Sequence, residues 1–500
     1  MKKITLKIFV ALTVLMLLWA CGNSPKNPVA EASLPPIYPD YAGVSVPVGI
    51  APLNFEVTGA DRVDVTVTGE DGGQLHVNGR LADFPVDKWR KLLEANKGKS
   101  LTVTVNARSD GKWHAYKDFK INVSPYELDA WGLTYRRIAP GYEKWGRMGL
   151  YQRQLSDFTE SPILENSSFE NGCLNCHSSW RTNPDRFVFH IRGTHGATLV
   201  QTEKGREWLN TKTDQTLGTC VYPYWHPSGR FVAFSTNTTR QVFHAINSER
   251  IEVFDYESDL QIYDVETHEL LLSPLVKTPD WMESYPVFSP DGKTIFFCTS
   301  RQYDNIKENY KNIKYNICSI SFDAESGQFG DHVDTLFNAV RLGKSAVHPR
   351  PSYDGRYLMF TICDYGCFPI WHNESEQWLM DLATGESRPI DEANSPKADS
   401  YHNWSLDSHW FVFTSRRENG LFSLLYLASV DDEGHVSKPF LLPQKDPRRY
   451  YSNLMFSYNT PDFSIHKVNL NRRASSREIL SDERVKLTVK PGWDTASKDD

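Results

Sequence analysis

The feature of this sequence that most constrains its fold is a segment pattern that recurs four times. Each copy has a short aromatic-rich stretch, a tight turn, and then a strand of alternating apolar residues. Successive copies begin 63, 63 and 53 residues apart, which is close to the spacing of propeller blades. The four copies are residues 222–234, 285–297, 348–360 and 401–413, the last with a degraded turn.

A second hairpin follows the turn in these copies and brings each unit to four strands. After the first copy the pattern is strand 260–265, turn 266–269 and strand 270–272, and the third copy repeats it at 377–382 with a turn at 383–386. One four-stranded unit cannot bury both of its faces, so the units must pack radially on each other. We therefore predict an all-β chain whose main domain is a β-propeller, with an ordinary β-sandwich as the alternative.

The turn Ser289-Pro290-Asp291-Gly292-Lys293 carries a resemblance to a known family. It resembles the core of the WD40-like repeat of TolB and its relatives. The resemblance covers about residues 170–490 and implies a TolB-like propeller. A weaker copy at 177–189 adds a blade at the front, and residues 450–468 with a strand from 130–155 close the ring. Five blades are visible, and we expect six.

Three regions surround the expected propeller, which we place at 171–490. Residues 37–125 alternate like strands around one short helical pattern at 81–96, which predicts a small immunoglobulin-like β-sandwich. Residues 126–170 are aromatic but poorly periodic, and we expect a linker that packs along the propeller. Residues 491–500 are expected to be a disordered tail.

The beginning of the chain resembles a bacterial lipoprotein signal. Three lysines precede an apolar stretch, residues 8–20, that is too short for an ordinary membrane span. The stretch ends in Leu18-Trp19-Ala20-Cys21, which resembles a lipobox. We expect residues 1–20 to be removed, Cys21 to be lipidated, and residues 21–36 to form a flexible tether. A plain secretory signal with a coincidental cysteine is the alternative.

The expected mature product is an acidic protein of the bacterial cell envelope. Removing residues 1–20 deletes three lysines and no acid, so the net charge changes from −7 to −10. No basic stripe is present, which excludes nucleic acid as a partner. We expect a protein held on the outer membrane by its lipid and facing the periplasm.

Cys173-Leu174-Asn175-Cys176-His177 is the motif with the most specific chemistry. In an exported protein, C-x-x-C-H is the attachment signature of a c-type haem. Two thiols at this spacing form thioethers with the porphyrin vinyl groups, and the histidine binds the iron. We predict one covalent haem c on Cys173, Cys176 and His177. A local disulfide or half of a zinc site is the alternative, although the sequence has no second C-x-x-C to complete it.

A six-coordinate haem needs a second axial ligand, and the blade register suggests where it lies. The innermost strand of each blade begins on one face, and long loops at 236–257, 301–315 and 363–376 open there. Long loops on a rigid scaffold commonly build sites. Our candidates for the metal are His195 and His244, while an open sixth position is the alternative. The register places other histidines on this face as well, namely His348, His372 and His402, whereas His226 falls on the opposite turn.

The remaining cysteines fall into two sequence pairs and one single residue. Cys298 and Cys318 fall on neighbouring strands of one blade, where a disulfide and two buried thiols are equally compatible with the spacing. Cys363 and Cys367 share one loop, in which we expect a disulfide, with a metal clip as the alternative. The fifth, Cys220, makes the number odd, so at least one thiol stays free or pairs elsewhere.

Two functions are compatible with these features. The first is a lipid-anchored envelope haemoprotein that passes electrons to a redox partner or senses a small ligand. The alternative, implied by the TolB-like resemblance, is a non-catalytic scaffold on which envelope proteins dock. We expect no enzyme activity, because the sequence shows no acid/base constellation and no G-x-S-x-G elbow. No residue supports a propeller enzyme such as a polysaccharide lyase.

Overall fold

The computed structural model describes residues 25–139, 146–170, 172–243 and 251–493. The expected signal segment, with Cys21, lies outside these ranges. The chain divides into two compact units, the first of which comprises Met1–Glu127, Ser156–Phe158 and Pro443–Leu454, and the second the rest. Among the helices in the described ranges, none has the length and apolar character needed to cross a membrane.

The first unit is built on one mixed seven-stranded sheet, and a helix lies between two of its strands in the sequence. The seven strands are Val29–Ala30, Ser45–Val46, Arg62–Gly69, Gln74–Gly79, Ser100–Ser109, Lys112–Ala115 and Phe119–Val123. A separate ribbon pairs Ile37–Tyr38 with Glu56–Val57. The helix, Val86–Ala95, buries Trp89, Leu92 and Leu93, and the Trp89 ring stacks on Phe84 with centroids 5.2 Å apart.

This sheet differs from the predicted immunoglobulin-like sandwich. Ser100–Ser109 pairs along its length with Arg62–Gly69. Its other edge pairs with Phe119–Val123 and then with Lys112–Ala115, so the described strands form one hydrogen-bonded sheet rather than two facing ones. The strand Val29–Ala30 also lies inside the expected tether. Alternation in the sequence reports one buried face, but it does not report what covers that face.

A segment from late in the chain completes the first unit. It contains the helix Pro447–Ser452. Lys445 contacts this unit twice, since its Nζ lies 2.6 Å from Asp83 Oδ1 and its carbonyl accepts a hydrogen bond of 3.0 Å from Asn54 Nδ2. No sequence pattern indicated this return of the chain, because ion pairs between distant segments have no periodic signature.

The second unit is a six-bladed β-propeller, which confirms the predicted fold class. Each blade is an antiparallel sheet of at least four strands. The strands of blade 1 are Cys173–Trp180, Asn183–Arg192, Ala197–Thr202 and Gly205–Asn210. Those of blade 2 are Cys220–Trp225, Phe231–Phe243, Ile251–Asp264 and Glu269–Leu271, and those of blade 3 are Trp281–Phe288, Thr294–Arg301, Asn316–Asp323, Gln328–Phe329 and Asp334–Phe337. Blade 4 consists of Ser345–Pro351, Tyr357–Cys363, Glu376–Asp381 and Ser387–Pro389, and blade 5 of Asp399–Trp404, Trp410–Ser415, Leu424–Ser429 and Phe440–Leu441.

Blade 6 joins the two ends of this unit. Its innermost strand is Ser457–Ser464, and its outer strands are Gly132–Ile138, Met148–Gln154 and Glu160–Glu165. Three strands of this blade therefore come from the expected linker, residues 126–170. The alternation that marks a strand is missing because Gly132–Ile138 and Met148–Gln154 are buried on both faces over most of their length.

A segment near the end of the described chain adds a fifth strand to two blades. Val485–Lys486 pairs in parallel with the outer strand of blade 1, and Thr488–Val489 does so with that of blade 2. Leu487, between them, is buried. The other helical elements of this unit are Ile306–Asn309 and Arg472–Leu480, with 3-10 turns at Asn166–Ser168, Tyr310–Asn312, Val340–Leu342 and Pro369–Trp371.

Candidate functional site

Every innermost strand carries a β-bulge at the same point. At each bulge the pairing with the second strand skips, and one residue takes a positive φ. These residues are Cys176 (φ 55°), Tyr222 (53°), Tyr285 (54°), His348 (56°), Tyr401 (49°) and Thr460 (45°). In four blades the next residue is proline. Proline has no backbone N–H, so the interruption of the ladder leaves no hydrogen-bond donor unpaired at that position.

The six bulge residues line one cavity on the axis of the propeller. Ring centroids are 4.3 Å apart for Tyr222 and Tyr285, 4.3 Å for Tyr285 and His348, and 4.7 Å for His348 and Tyr401. We call these six side chains the axial ring. Cys176 is the member from blade 1, so the second cysteine of the C-x-x-C-H motif is equivalent to the tyrosines of the other repeats.

The motif as folded does not accommodate a porphyrin. The axial cavity has a volume of about 50 Å³, which is room for a few water molecules. Cys176 and His177 are only 4% and 7% exposed, and His177 Nε2 lies 3.2 Å from Thr134 Oγ1. Burial lowers the pKa of His177 to about 4. A covalent haem needs both thiols and the imidazole against one macrocycle, so these residues do not fit the group while their strand stays in the blade.

His195 is held by carboxylates. It lies in the loop after the second strand of blade 1, as the register predicted, but its Nδ1 is 2.8 Å from Asp482 Oδ1 and its Nε2 is 3.3 Å from Glu170 Oε2. Both ring nitrogens are therefore engaged, and the hydrogen bond to Asp482 raises its pKa. His244 lies outside the described residues.

The other histidines of this face occupy three different environments. His348 belongs to the axial ring, and His402 follows the bulge residue Tyr401 on the next strand. Burial lowers the pKa of both, to about 3 for His402, so both are neutral at ordinary pH. His372 lies in a loop of blade 4. His226 lies at the opposite turn, as predicted, with Nε2 3.1 Å from the Gly292 carbonyl.

All seven cysteines in the described ranges are free thiols. Cys298 and Cys318 lie on opposite faces of blade 3, each in a different apolar cluster, so the cross-strand disulfide does not form. The loop disulfide does not form either. The Cys363 thiol donates to the Tyr365 carbonyl at 3.1 Å, and Cys367 Sγ lies 3.5 Å from Asp255 Oδ2.

Insertions from three blades interlock on the face where the innermost strands begin, which we call the mouth face. Blade 2 contributes Phe254 on a long hairpin, where we had expected a loop. The Phe254 ring stacks on Tyr310 of blade 3 with centroids 5.7 Å apart, and Tyr310 packs against Tyr365 of blade 4 at 5.6 Å. These side chains form a wall along one side of the channel mouth.

A buried polar cluster underlies this wall. Tyr365 donates its hydroxyl to Glu252 at 2.8 Å, and His372 Nε2 lies 3.3 Å from the same carboxylate. Burial alone would lower the pKa of His372, but contacts with Cys363, Glu252 and Glu374 raise it well above its usual range. His372 is therefore a cation whose charge is balanced within the protein.

The other side of the mouth is formed by arginines. Arg416 follows the second strand of blade 5, Arg136 lies on blade 6, and Arg192 ends the second strand of blade 1. Arg416 lies 4.4 Å from the Trp371 ring centroid, and Arg136 Nη2 lies 3.4 Å from Cys173 Sγ. In the part of the chain that the structure describes, no carboxylate lies within 4.0 Å of these three guanidinium groups, whereas the adjacent Arg137 and Arg417 are paired.

Sequence reasoning missed these arginines because they belong to no recognised motif and lie far apart in the chain. The signal that could have found two of them is the repeat itself. Arg192 pairs with Cys173, three residues before the bulge at Cys176, and Arg416 donates its N–H to the carbonyl of Ala398, three residues before Tyr401. Arg192 and Arg416 therefore occupy equivalent positions in blades 1 and 5.

One other group in the described ranges has the spacing of a cation site. The ligand atoms of Asp431, Glu433 and His435 lie within 4.8 Å of one another in the turn before the outer strand of blade 5. These side chains are half-buried or exposed, and His435 Nδ1 is hydrogen-bonded to Asp431 at 3.0 Å.

No protein family and no curated protein matches this sequence, but solved structures do. An oligogalacturonate lyase in complex with manganese matches at 12% identity and a TM-score of 0.34, over 61% of this chain and 72% of that one. The oligogalacturonate lyase of Vibrio parahaemolyticus matches at 10% and 0.33, over 64% and 87%. Prolyl oligopeptidase B from Galerina marginata matches at 12% and 0.34, over 79% and 54%. Likeness at this level carries no argument about function.

Proposed function

We propose that this chain is a non-catalytic binding protein of the bacterial cell envelope, with its ligand or protein partner docking on the mouth face of the propeller. The observation that carries this proposal is the construction of the mouth. Insertions from three blades pack together along one side of it, and the axial ring fills the channel beneath. A group that enters the mouth is therefore stopped at the ring.

The proposed location rests on the sequence. Cys21 follows a short apolar stretch in a lipobox-like tetrad, so the proposal includes a lipid anchor and an outer-membrane position facing the periplasm. Envelope proteins are the proposed partners, and nucleic acid is not.

The C-x-x-C-H motif supports a second candidate, a haemoprotein for electron transfer or ligand sensing. Cys173 and Cys176 are both free thiols, as haem attachment would require. Attachment would also require residues 173–177 to leave the ladder with the second strand of blade 1. This candidate therefore predicts a different arrangement of blade 1.

Haem staining separates the two candidates. The protein would be matured in a host with haem-attachment machinery and run on a denaturing gel beside a variant with Cys173→Ala and Cys176→Ala. Thioether bonds survive denaturation. A colourless, unstained wild type is expected for the binding protein, whereas a stained band that the double substitution abolishes would replace that proposal with the haem candidate.

Site-specific photocrosslinking in cells tests the docking face. A photoreactive residue at Arg301, exposed at the mouth end of blade 3, is expected to give a defined crosslinked product. The matched position is Lys293, exposed at the opposite turn of the same blade, which is expected to give none. Crosslinking at Lys293 alone, or at neither position, would contradict docking on the mouth face.

A further inference from the structure

The three mouth arginines form an unbalanced cluster of positive charge. Arg416 is 3% exposed and Arg136 is 7% exposed, while Arg192 is half-buried. Burial lowers the pKa of Arg416 to about 10, which leaves it charged at neutral pH. Removing a charge from water is costly unless an opposite charge or hydrogen-bond acceptors replace the water. Within the described ranges, Arg136 Nε and both Nε and Nη2 of Arg416 have no hydrogen-bond acceptor.

These three charges act on the same point of the mouth. Burial raises the pKa of the Tyr401 phenol, and the charges of Arg136 and Arg416 both oppose that rise. Arg136 Nη2 lies 3.4 Å from Cys173 Sγ, and Arg192 pairs with Cys173 across the ladder of blade 1. Arg416 occupies the position of Arg192 in blade 5, so the guanidinium groups of blades 5, 6 and 1 lie at the same end of the axial ring.

Acidic side chains near the cluster already accept hydrogen bonds from other residues. Asp255 accepts hydrogen bonds from Asn237 Nδ2 at 2.6 Å and from Thr239 Oγ1 at 2.7 Å. Asp399 accepts from Arg417 Nη2 at 2.9 Å. Asp255 forms no ion pair with Arg192 among the described contacts.

We infer that the channel mouth binds a small molecule through an oxyanion group, a carboxylate or a phosphate, held by Arg416, Arg136 and Arg192. This inference deepens the proposed function, because it names the chemical group that the mouth recognises. Guanidinium groups match the geometry of carboxylate and phosphate oxygens with paired N–H donors. The Tyr285 hydroxyl, which is buried and has no partner in the described ranges, supplies a further donor at the ring.

Anion titration of the purified full-length protein tests the inference. The probes are inorganic phosphate and citrate, with chloride at equal ionic strength as the reference, and the readouts are the thermal midpoint and isothermal calorimetry. We expect at least one probe to raise the midpoint saturably. Binding of phosphate alone or citrate alone would identify the preferred oxyanion.

Substitutions at the cluster locate the site. Arg416→Gln is expected to weaken binding of the responding anion at least tenfold, and Lys293→Gln, at the exposed opposite turn of blade 3, is expected to leave it unchanged. If Arg416→Gln fails to fold, Arg192→Gln replaces it, because that side chain is half-buried. Removing an unbalanced buried charge should also raise the midpoint of the anion-free protein.

Two results would overturn the inference. One is the absence of any saturable effect of phosphate and citrate on the wild type, and the other is equal binding by the wild type and the folded cluster variants. Neither result depends on a protein partner. Crosslinking at Arg301 without anion binding would therefore support the docking face and disprove the oxyanion site. Anion binding without crosslinking would support the site and contradict the docking face.

Discussion

At the residue scale, burial decides the chemistry of the C-x-x-C-H motif more than its spacing does. Cys176 and His177 would serve a haem if they were accessible, but the fold uses them to line the axis of the propeller. The His177 ring makes one hydrogen bond, between its Nε2 and the Thr134 hydroxyl, and its Nδ1 has no hydrogen-bond partner within the described chain. Such a histidine resists protonation, because the charged form would lack both water and a counter-charge.

His177 should therefore make the stability of the protein sensitive to acid. The pKa of an unfolded histidine is about 6.5, and the folded value is about 4. Below pH 6.5 the unfolded chain takes up a proton that the folded chain refuses, so the free energy of unfolding falls toward pH 4. Between pH 7.5 and 5, we expect the wild type to lose about 2 kcal/mol more than His177→Gln.

Urea unfolding at the two pH values measures this difference. Other buried groups that titrate are present in both proteins, so their contributions cancel in the comparison. His76→Gln, at an exposed position, is the control and should follow the wild type at both pH values. Equal losses for the wild type and His177→Gln would show that His177 is not held neutral.

At the scale of single elements, the repeated bulge is what makes six different strands equivalent. It directs one side chain per blade to the axis, so the channel is filled by residues as different as tyrosine, histidine and cysteine. Five of the bulge residues are unbranched at Cβ. Thr460 in blade 6 is the exception, and a β-branched residue at positive φ is strained.

Relieving that strain should stabilise blade 6. Thr460 Oγ1 is buried without a hydrogen-bond partner in the described chain, so its loss costs no contact. Asparagine tolerates the left-handed region, and Thr460→Asn is therefore expected to raise the free energy of unfolding by about 1 kcal/mol. Denaturant unfolding measures the change. Thr460→Val, which keeps the branched Cβ, should give no gain, and a gain of the same size would show that the hydroxyl rather than the backbone is responsible.

At the scale of the whole molecule, ring closure depends on residues far apart in the sequence. The innermost strand of blade 6, Ser457–Ser464, pairs with Gly132–Ile138, more than 300 residues earlier. The closing strand buries Phe463 and Tyr458 completely or nearly so, and the Tyr458 ring packs edge-on against Tyr135 with centroids 5.0 Å apart. The ring can therefore close only after residues 457–464 have been synthesised and have paired with the earlier strands of blade 6.

Removing the closing strand should abolish cooperative unfolding of the propeller. A chain ending at residue 456 leaves the buried face of Gly132–Ile138 exposed, so we expect it to bind a hydrophobic dye and to lose its sharp thermal transition. A chain ending at residue 484 keeps blade 6 but lacks the added strands on blades 1 and 2, and it should unfold cooperatively at a lower temperature. A sharp transition in the chain ending at 456 would contradict this role for closure.

The propeller follows from the sequence alone, because its evidence is local and repeated. Turns of the Pro-Asp-Gly type and alternating strands recur in register, and a recurring unit can be identified even when each copy is weak. The helix Val86–Ala95 lies within the one short helical pattern at 81–96, and its evidence is also local. Strands buried on both faces, such as Gly132–Ile138, lack alternation, so the sequence indicated blade 6 only through the need to close the ring.

The candidate site, in contrast, is visible only in the folded chain. The C-x-x-C-H spacing is compatible with haem attachment, but spacing along the chain does not show whether residues are buried. In the folded chain, Cys176 is buried in the axial ring and His177 is buried beside it. Conversely, Arg136, Arg192 and Arg416 are unremarkable in the sequence. They form one charged mouth because the propeller brings blades 5, 6 and 1 side by side around its axis, across some 280 residues of chain.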